Sequence, residues 1–153
     1  MLALPDLAAT ERLAGRLAAL TRPGDVIGLK GPLGAGKTAF ARGFIAALFG
    51  PIEVPSPTFT LVQTYEDEKY AVWHVDLYRL GAPAEAEELG LEEAYAHAVL
   101  LIEWPERLGA LMAADWLEIA LKEGAGPDAR IARLAAHGRR SRALLAALAG
   151  TPA

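Results

Sequence analysis

The chain has 153 residues, 53% of them hydrophobic, and a formal net charge of −4 at pH 7. This composition predicts one folded domain over residues 1–153, excludes a disordered chain, and argues against a surface that binds nucleic acid as a whole. The absence of cysteine excludes disulfides and a thiol nucleophile. No run approaches the ~20 apolar residues of a spanning helix, and the N-terminus lacks a secretory pattern, so we expect a cytoplasmic protein without a membrane segment.

The first predicted element is an amphipathic helix. Asp6 is a residue type that caps helix N-termini, and the helix is expected to end at about Leu20. Apolar side chains at helical spacing predict its buried side, which comprises Leu7, Leu13, Leu17 and Leu20.

Residues 31–38, GPLGAGKT, form a complete phosphate-loop signature between a predicted strand at 25–29 and a predicted helix at 38–49. The glycines let backbone N–H groups approach a polyphosphate, the lysine supplies a catalytic positive charge, and the threonine hydroxyl is placed to ligate Mg²⁺. Nucleotide contacts are expected at Gly31, Leu33, Gly34, Ala35, Gly36, Lys37, Thr38 and Ala39. The signature in this strand–loop–helix order predicts a bound nucleoside triphosphate and argues against an ordinary glycine-rich turn.

The segment VPSPTFT, residues 54–60, lies where nucleotide-sensing loops commonly lie. Its two prolines hold the residues before them extended, which presents the hydroxyls of Ser56 and Thr58 at a fixed geometry. These hydroxyls either sense the γ-phosphate or Mg²⁺, or belong to a rigid turn, and the sequence leaves both interpretations open.

An antiparallel hairpin is predicted from strands at residues 58–65 and 70–76, joined by a polar turn. Period-two alternation in the second strand and its continuation places His74, Asp76 and Tyr78 on one face. A polar, ionisable face beside an apolar one is typical of a site edge, so a catalytic role is predicted for Asp76. A solvated strand face would give the same pattern.

The remaining elements continue the alternation of helices and strands and predict an α/β, three-layer P-loop NTPase fold, with a mostly parallel sheet and an antiparallel hairpin insertion. They are one or two short helices at 84–96 broken at Gly90, an apolar strand at 98–102, a helix at 105–112, strands at 116–121 and 129–136, and a helix at 139–148.

Phosphate loops need an acidic partner for Mg²⁺ near the end of a neighbouring apolar strand. The run VLLIE places Glu103 at the tip of the most apolar strand. We predict that Glu103 ligates Mg²⁺ or positions the attacking water, the alternative being an exposed carboxylate. Trp104 follows directly and packs either in the core or against the nucleotide.

A late cluster of basic residues is an exception to the acidic composition. Such a cluster contacts RNA, a partner protein or only solvent, and the solvated face is the favoured interpretation. Its members are Arg130, Arg133, His137, Arg139, Arg140 and Arg142.

Taken together, GPLGAGKT, SPTFTLV, HVDLYRL, LGLEE and IEW, in that order, resemble the bacterial TsaE (YjeE) family, the small ATPase of tRNA threonylcarbamoyladenosine (t6A) biosynthesis. The resemblance covers roughly residues 6–108. One departure is Pro32, where the family commonly has aspartate; the position carries no required donor, so ATP binding is still expected.

The resemblance implies an ATPase, weak without its partners, that uses ATP and Mg²⁺. It implies binding to the complex of TsaD and TsaB, support of threonylcarbamoyl transfer to the adenosine beside the tRNA anticodon, and at most weak or indirect tRNA contact. The family's phosphate and Mg²⁺ roles fall on Gly34, Gly36, Lys37, Thr38 and Glu103. Asp76 matches its acidic residue near the γ-phosphate, Trp104 its tryptophan beside the nucleotide, and Ser56 and Thr58 its switch-like loop.

Three other functions are alternatives to an ATPase. A small-molecule kinase would carry an arginine-rich lid between the motifs, which is absent here. A GTPase is excluded because its guanine-reading motif requires asparagine, and the chain has none. A regulatory module that binds ATP without hydrolysing it shares every residue named above and stays open.

Overall fold

The computed structural model describes residues 1–52, 54–55 and 61–150, and in this part of the chain a mixed sheet of seven strands lies between two layers of helices. The order across the sheet is β1-β7-β6-β2-β5-β4-β3. The central neighbours β6, β2, β5 and β4 are parallel, and the outer pairs are antiparallel. The strands are β1 Leu2–Leu4, β2 Val26–Lys30, β3 Val62–Glu66, β4 Ala71–Asp76, β5 Val99–Glu103, β6 Trp116–Glu123 and β7 Arg130–His137.

The helices form the outer layers and confirm the three-layer α/β fold. On one face of the sheet lie α1, α2 and α4; on the other lie α3 and two 3₁₀ helices. Their bounds are α1 Leu7–Leu20, α2 Lys37–Phe49, α3 Leu91–Ala94 and α4 Arg139–Ala149, with 3₁₀ helices at Pro83–Leu89 and Pro105–Leu111.

Strand β5 is buried on both faces, which explains its unbroken apolar sequence. Leu101 packs into the cluster of Phe40 and Phe44 from α2, whereas Leu100 and Ile102 pack into the opposite cluster. Full burial of each such side chain stabilises the fold by about 1.5–3 kcal/mol. This strand therefore fixes the position of the residue at its end.

Some sequence expectations about the elements were wrong. Leu7 is 47% exposed, because alanines share the buried side of α1 and displace its centre from the leucine row. The three-residue strand β1 was not predicted, since its pairing with β7 is set across the sheet and not by local pattern. The predicted antiparallel hairpin is confirmed by the pairing of β3 with β4, and β4 in addition pairs in parallel with β5, which joins the hairpin to the parallel core.

The basic cluster is not one solvated face. Arg140 forms an ion pair with buried Asp25, with an Nε–Oδ1 distance of 2.9 Å, and His137 Nε2 lies 2.9 Å from Glu118 Oε1. Arg130 donates to the backbone of the phosphate loop. The favoured interpretation from sequence was therefore wrong for Arg130 and Arg140, which have intramolecular partners that sequence spacing does not reveal, whereas His137 is exposed.

Helix α4 receives its N-terminal cap from a distant residue. Gly138 precedes the helix and has no side chain to cap it, and the Asp115 carboxylate accepts from the backbone N–H groups of Arg140 and Ser141 at 2.7 and 2.9 Å. A side chain at residue 138 would collide with Asp115. The glycine and the carboxylate thus form one cap.

We expect Asp115→Ala to lower the free energy of unfolding at pH 7 by about 1–2 kcal/mol, because α4 loses this cap. Burial raises the pKa of Asp115, but hydrogen bonds from Ser141 and Arg140 outweigh it and hold the pKa below 3.8. The ionised carboxylate therefore contributes its full stabilisation above the pKa that Asp115 has in the unfolded chain. This stabilisation is lost as the pH falls through the lower pKa that Asp115 has in the folded protein. Denaturant unfolding from pH 7 downward measures this. The prediction would be contradicted if the loss of unfolding free energy in Asp115→Ala were the same at every pH, or if the exposed substitution Glu68→Ala caused an equal loss.

Candidate functional site

The carboxyl ends of β2, β5 and β4 meet at one edge of the sheet, where parallel α/β sheets bind ligands. In the register of the sheet, Asp76 of β4 lies opposite Glu103 of β5, and Glu103 lies opposite Leu29 of β2, just before the phosphate loop. A cavity of about 370 Å³ opens there. It is lined by Leu33, Gly34, Gly36, Lys37, Thr38, Ala39, Asp76, Tyr78, Arg79, Glu103 and Trp104.

The phosphate loop depends on glycine for its path. Gly31, Gly34 and Gly36 have φ angles of 144°, 78° and 99°, in the region that side chains disfavour. A Cβ at residue 31 would in addition collide with the carbonyl oxygen of Leu121 on β6. The loop therefore passes close to the sheet and leads directly into α2, whose N-terminus favours anions.

The Lys37 side chain is folded back onto the loop and is only 5% exposed. Its ammonium donates to the carbonyls of Gly31 and Pro32, at 3.2 Å from the latter, and lies 3.7 Å from the centroid of the Trp104 ring. Burial lowers the pKa of Lys37, opposed by the negative charges of nearby carboxylates, Glu103 first. Pro32 thus contributes its backbone carbonyl, which the family's aspartate would also supply.

Glu103 is the centre of a buried hydrogen-bonded chain. The Thr38 hydroxyl lies 3.1 Å from Oε1 and 3.2 Å from Oε2, and His74 Nε2 lies 2.7 Å from Oε2. Glu103 is 2% exposed and His74 is fully buried, so the alternative of an exposed carboxylate was wrong. Burying a carboxylate is costly unless hydrogen bonds compensate, and these two partners supply them.

Asp76 occupies the second carboxylate position of the cavity. It is buried at the end of β4, and its Oδ1 accepts from the backbone N–H of Tyr78 at 3.0 Å. Because His74 is buried as well, the alternative of a solvated strand face was wrong for both residues. Only Tyr78, beyond the strand, is exposed, and its ring lies 5.1 Å from that of Trp104.

Trp104 has a left-handed backbone conformation, with φ 63° and ψ 50°. A bulky residue in this region is strained by about 1–3 kcal/mol, and such strain persists at functional sites. The backbone N–H donates to the carbonyl of Leu29 at 3.2 Å. The half-buried indole packs against the core cluster of the 3₁₀ helices and also lines the cavity, so the core interpretation is confirmed and contact with a nucleotide stays a prediction.

The donor set at the loop suits a hard cation. A hydroxyl oxygen and a carboxylate lie side by side at Thr38 and Glu103, and oxygen ligands are what Mg²⁺ prefers. Among residues 1–52, 54–55 and 61–150, no group of three His, Cys, Asp or Glu side chains is arranged to hold a metal. The pair therefore fits an ion that shares its coordination with phosphate and water. Ser56 and Thr58, the predicted sensing hydroxyls, lie outside the described residues.

Sequence reasoning missed two residues of the site. His74 was placed on the face of Asp76 without a role, and Arg130 was assigned only to the basic cluster. What reveals His74 is the pairing of β4 with β5, in a register that sets His74 opposite Leu101 and brings its imidazole to Glu103.

No helix in the described part of the chain has the length and apolarity to span a membrane.

The fold and the loop together define the class of phosphate-loop α/β proteins. Within that class, the family model for "Threonylcarbamoyl adenosine biosynthesis protein TsaE" matches residues 4–131. Among the proteins similar to this chain are two described as "tRNA threonylcarbamoyladenosine biosynthesis protein TsaE". The protein from Rickettsia felis is 42% identical over 123 residues, covering 80% of this chain and 72% of its own. The protein from Bacillus subtilis is 39% identical over 132 residues, covering 86% and 82%.

A solved structure agrees with these matches. The crystal structure of YdiB from Bacillus subtilis superposes with a TM-score of 0.82 at 31% identity, covering 97% of this chain and 93% of that one. The chain belongs to the TsaE family, whose proteins act in tRNA threonylcarbamoyladenosine biosynthesis. The resemblance drawn from the five sequence motifs is thereby confirmed.

Proposed function

We propose that this protein binds and hydrolyses Mg-ATP in the cytoplasm, in support of the TsaD–TsaB complex during t6A formation on tRNA. The observation that carries the proposal is the pairing of Thr38, at the start of α2, with buried Glu103 at the end of β5. This hydroxyl–carboxylate pair beside a phosphate loop is the arrangement that phosphoryl-transfer sites use for Mg²⁺.

Phosphate binding is supported by the loop and by Lys37. Phosphate oxygens replace the carbonyls of Gly31 and Pro32 as acceptors for the ammonium, and a charged acceptor makes the stronger hydrogen bond. The N-terminus of α2 and the loop N–H groups add further donors. The strained backbone at Trp104 keeps its indole beside this ammonium and at the edge of the cavity.

Hydrolysis is divided between the two carboxylates. Thr38 and Glu103 would hold Mg²⁺, and the ion would supply positive charge beside the phosphates. With Glu103 assigned to the metal, Asp76, buried at the end of β4 and lining the same cavity, would orient the attacking water near the γ-phosphate. His74 acts through Glu103, as a positioning residue.

Family membership and the rim of the cavity support a protein partner. Leu33 in the loop is 65% exposed and Tyr78 is 38% exposed, so large apolar side chains border the proposed nucleotide site. Cover from TsaD–TsaB would bury them and shield the site from bulk water, which is why we expect slow hydrolysis by the isolated protein. Contact with tRNA is then weak or indirect.

The test is Mg²⁺-dependent ATP hydrolysis by the purified protein, measured alone and with TsaD–TsaB. We expect weak hydrolysis alone and a clear increase with the partners. Equal activity in both would indicate a free-standing enzyme, and phosphate acceptors would then be screened for a kinase. ATP binding without hydrolysis in either sample would indicate the regulatory module.

A further inference from the structure

Arg130 joins the β6–β7 hairpin to the back of the phosphate loop. Its Nε donates to the carbonyl of Ala35 at 3.0 Å and its Nη2 to that of Gly34 at 3.2 Å. Its Nη1 donates to the carbonyls of Pro127 and Ala129 at 2.9 and 2.8 Å. One planar guanidinium therefore binds two carbonyls of the loop and two of the hairpin turn at once.

These bonds set the direction of two peptide groups. A peptide unit is planar, and its C=O and N–H point to opposite sides. With the carbonyls of Gly34 and Ala35 held toward Arg130, the N–H groups of the next residues face the other way. The N–H of Ala35 closes the loop onto the carbonyl of Pro32 at 3.2 Å, and Gly36 lines the cavity.

The backbone of Arg130 is itself firmly placed. It pairs with Leu4 of β1 on one side and with Glu123 of β6 on the other. Within the described residues, no carboxylate lies within ion-pair distance of its guanidinium, so the positive charge beside the loop is not neutralised by a salt bridge. Both features favour a polyphosphate in front of the loop.

We propose that Arg130 is a positioning residue for the phosphate loop: its bonds to Gly34 and Ala35 fix the path of the loop and hold the N–H of Gly36 toward the cavity, where it binds the nucleotide's phosphates. The inference rests on the proposed function, since it requires that the loop bind a nucleoside triphosphate. It assigns to the β6–β7 hairpin a part of the nucleotide affinity, although the hairpin residues do not line the cavity.

Arg130→Lys and Arg130→Met test the proposal, with Arg133→Met as the control on an exposed position of the same strand. Lysine keeps the charge but lacks the planar fork that reaches several carbonyls at once. We expect about tenfold weaker ATP and ADP binding by calorimetry in both Arg130 variants, with a raised KM and a nearly unchanged kcat. Arg133→Met should bind within twofold of wild type. Thermal unfolding verifies that every variant is folded at the assay temperature.

The outcomes separate this inference from the proposed function. Wild-type affinity in Arg130→Met or Arg130→Lys, in a protein that binds ATP, overturns the positioning role alone. A loss confined to kcat, or an equal loss in Arg133→Met, overturns it as well. Absence of ATP binding by the wild-type protein overturns both proposals.

Discussion

Lys37→Ala is expected to weaken ATP binding by about a hundredfold or more and thereby to abolish turnover at ordinary ATP concentrations. The ammonium is desolvated against the loop, and hydrogen bonds from a charged donor contribute about 1.5–3 kcal/mol each. Two such bonds to phosphate oxygens correspond to a factor of this size, since 1.4 kcal/mol is tenfold in affinity. Calorimetric titration with Mg-ATP measures the loss.

The matched control is Lys30→Ala, at the end of β2 and just before the loop, where the side chain does not line the cavity. It should bind ATP within a few fold of wild type. Lys37→Ala should also keep its thermal stability, because burial lowers the pKa of Lys37 and therefore disfavours the charged form in the folded state. Unchanged ATP affinity in Lys37→Ala would contradict the placement of the phosphates against this loop.

The phosphate loop and Glu103 could be predicted because their signals are local. The loop's residues are contiguous in sequence, and each is required by the backbone path or by the ligand. Glu103 ends a strand that is apolar at every preceding position, and a strand buried on both faces must end where the sheet meets a ligand or solvent.

The partners of these residues could not be predicted, because pairing across the sheet decides them. His74 meets Glu103 only since β4 lies beside β5 in a register that sets His74 opposite Leu101. Arg130 meets Gly34 across 96 positions of sequence, through strand pairs that place β7 two strands from the loop. The exposed Leu7 shows the same limit. The spacing of the leucines alone does not reveal that alanines form part of the buried side of α1 and leave Leu7 outside it.

Replacement of Glu103 by alanine or glutamine is expected to leave ATP binding within a few fold of wild type and to reduce hydrolysis by about a hundredfold or more. In the proposed site, phosphate affinity would come from the loop and Lys37, which these variants keep, whereas the metal would lose its anionic ligand. Glutamine retains the shape and one acceptor for His74 Nε2, so it removes the charge with little change in packing.

Glu106→Gln is the matched control, because Glu106 is exposed on the 3₁₀ helix beyond Trp104 yet contributes to the field at Lys37. It should hydrolyse ATP at the wild-type rate. ATP titrations with and without Mg²⁺ distinguish Glu103 from Glu106 further. Mg²⁺ should strengthen ATP binding in wild type and in Glu106→Gln, and should no longer do so in Glu103→Gln. If Glu103→Gln hydrolysed ATP normally, the metal would have to be held without β5, and the pairing of Thr38 with Glu103 would then be structural only.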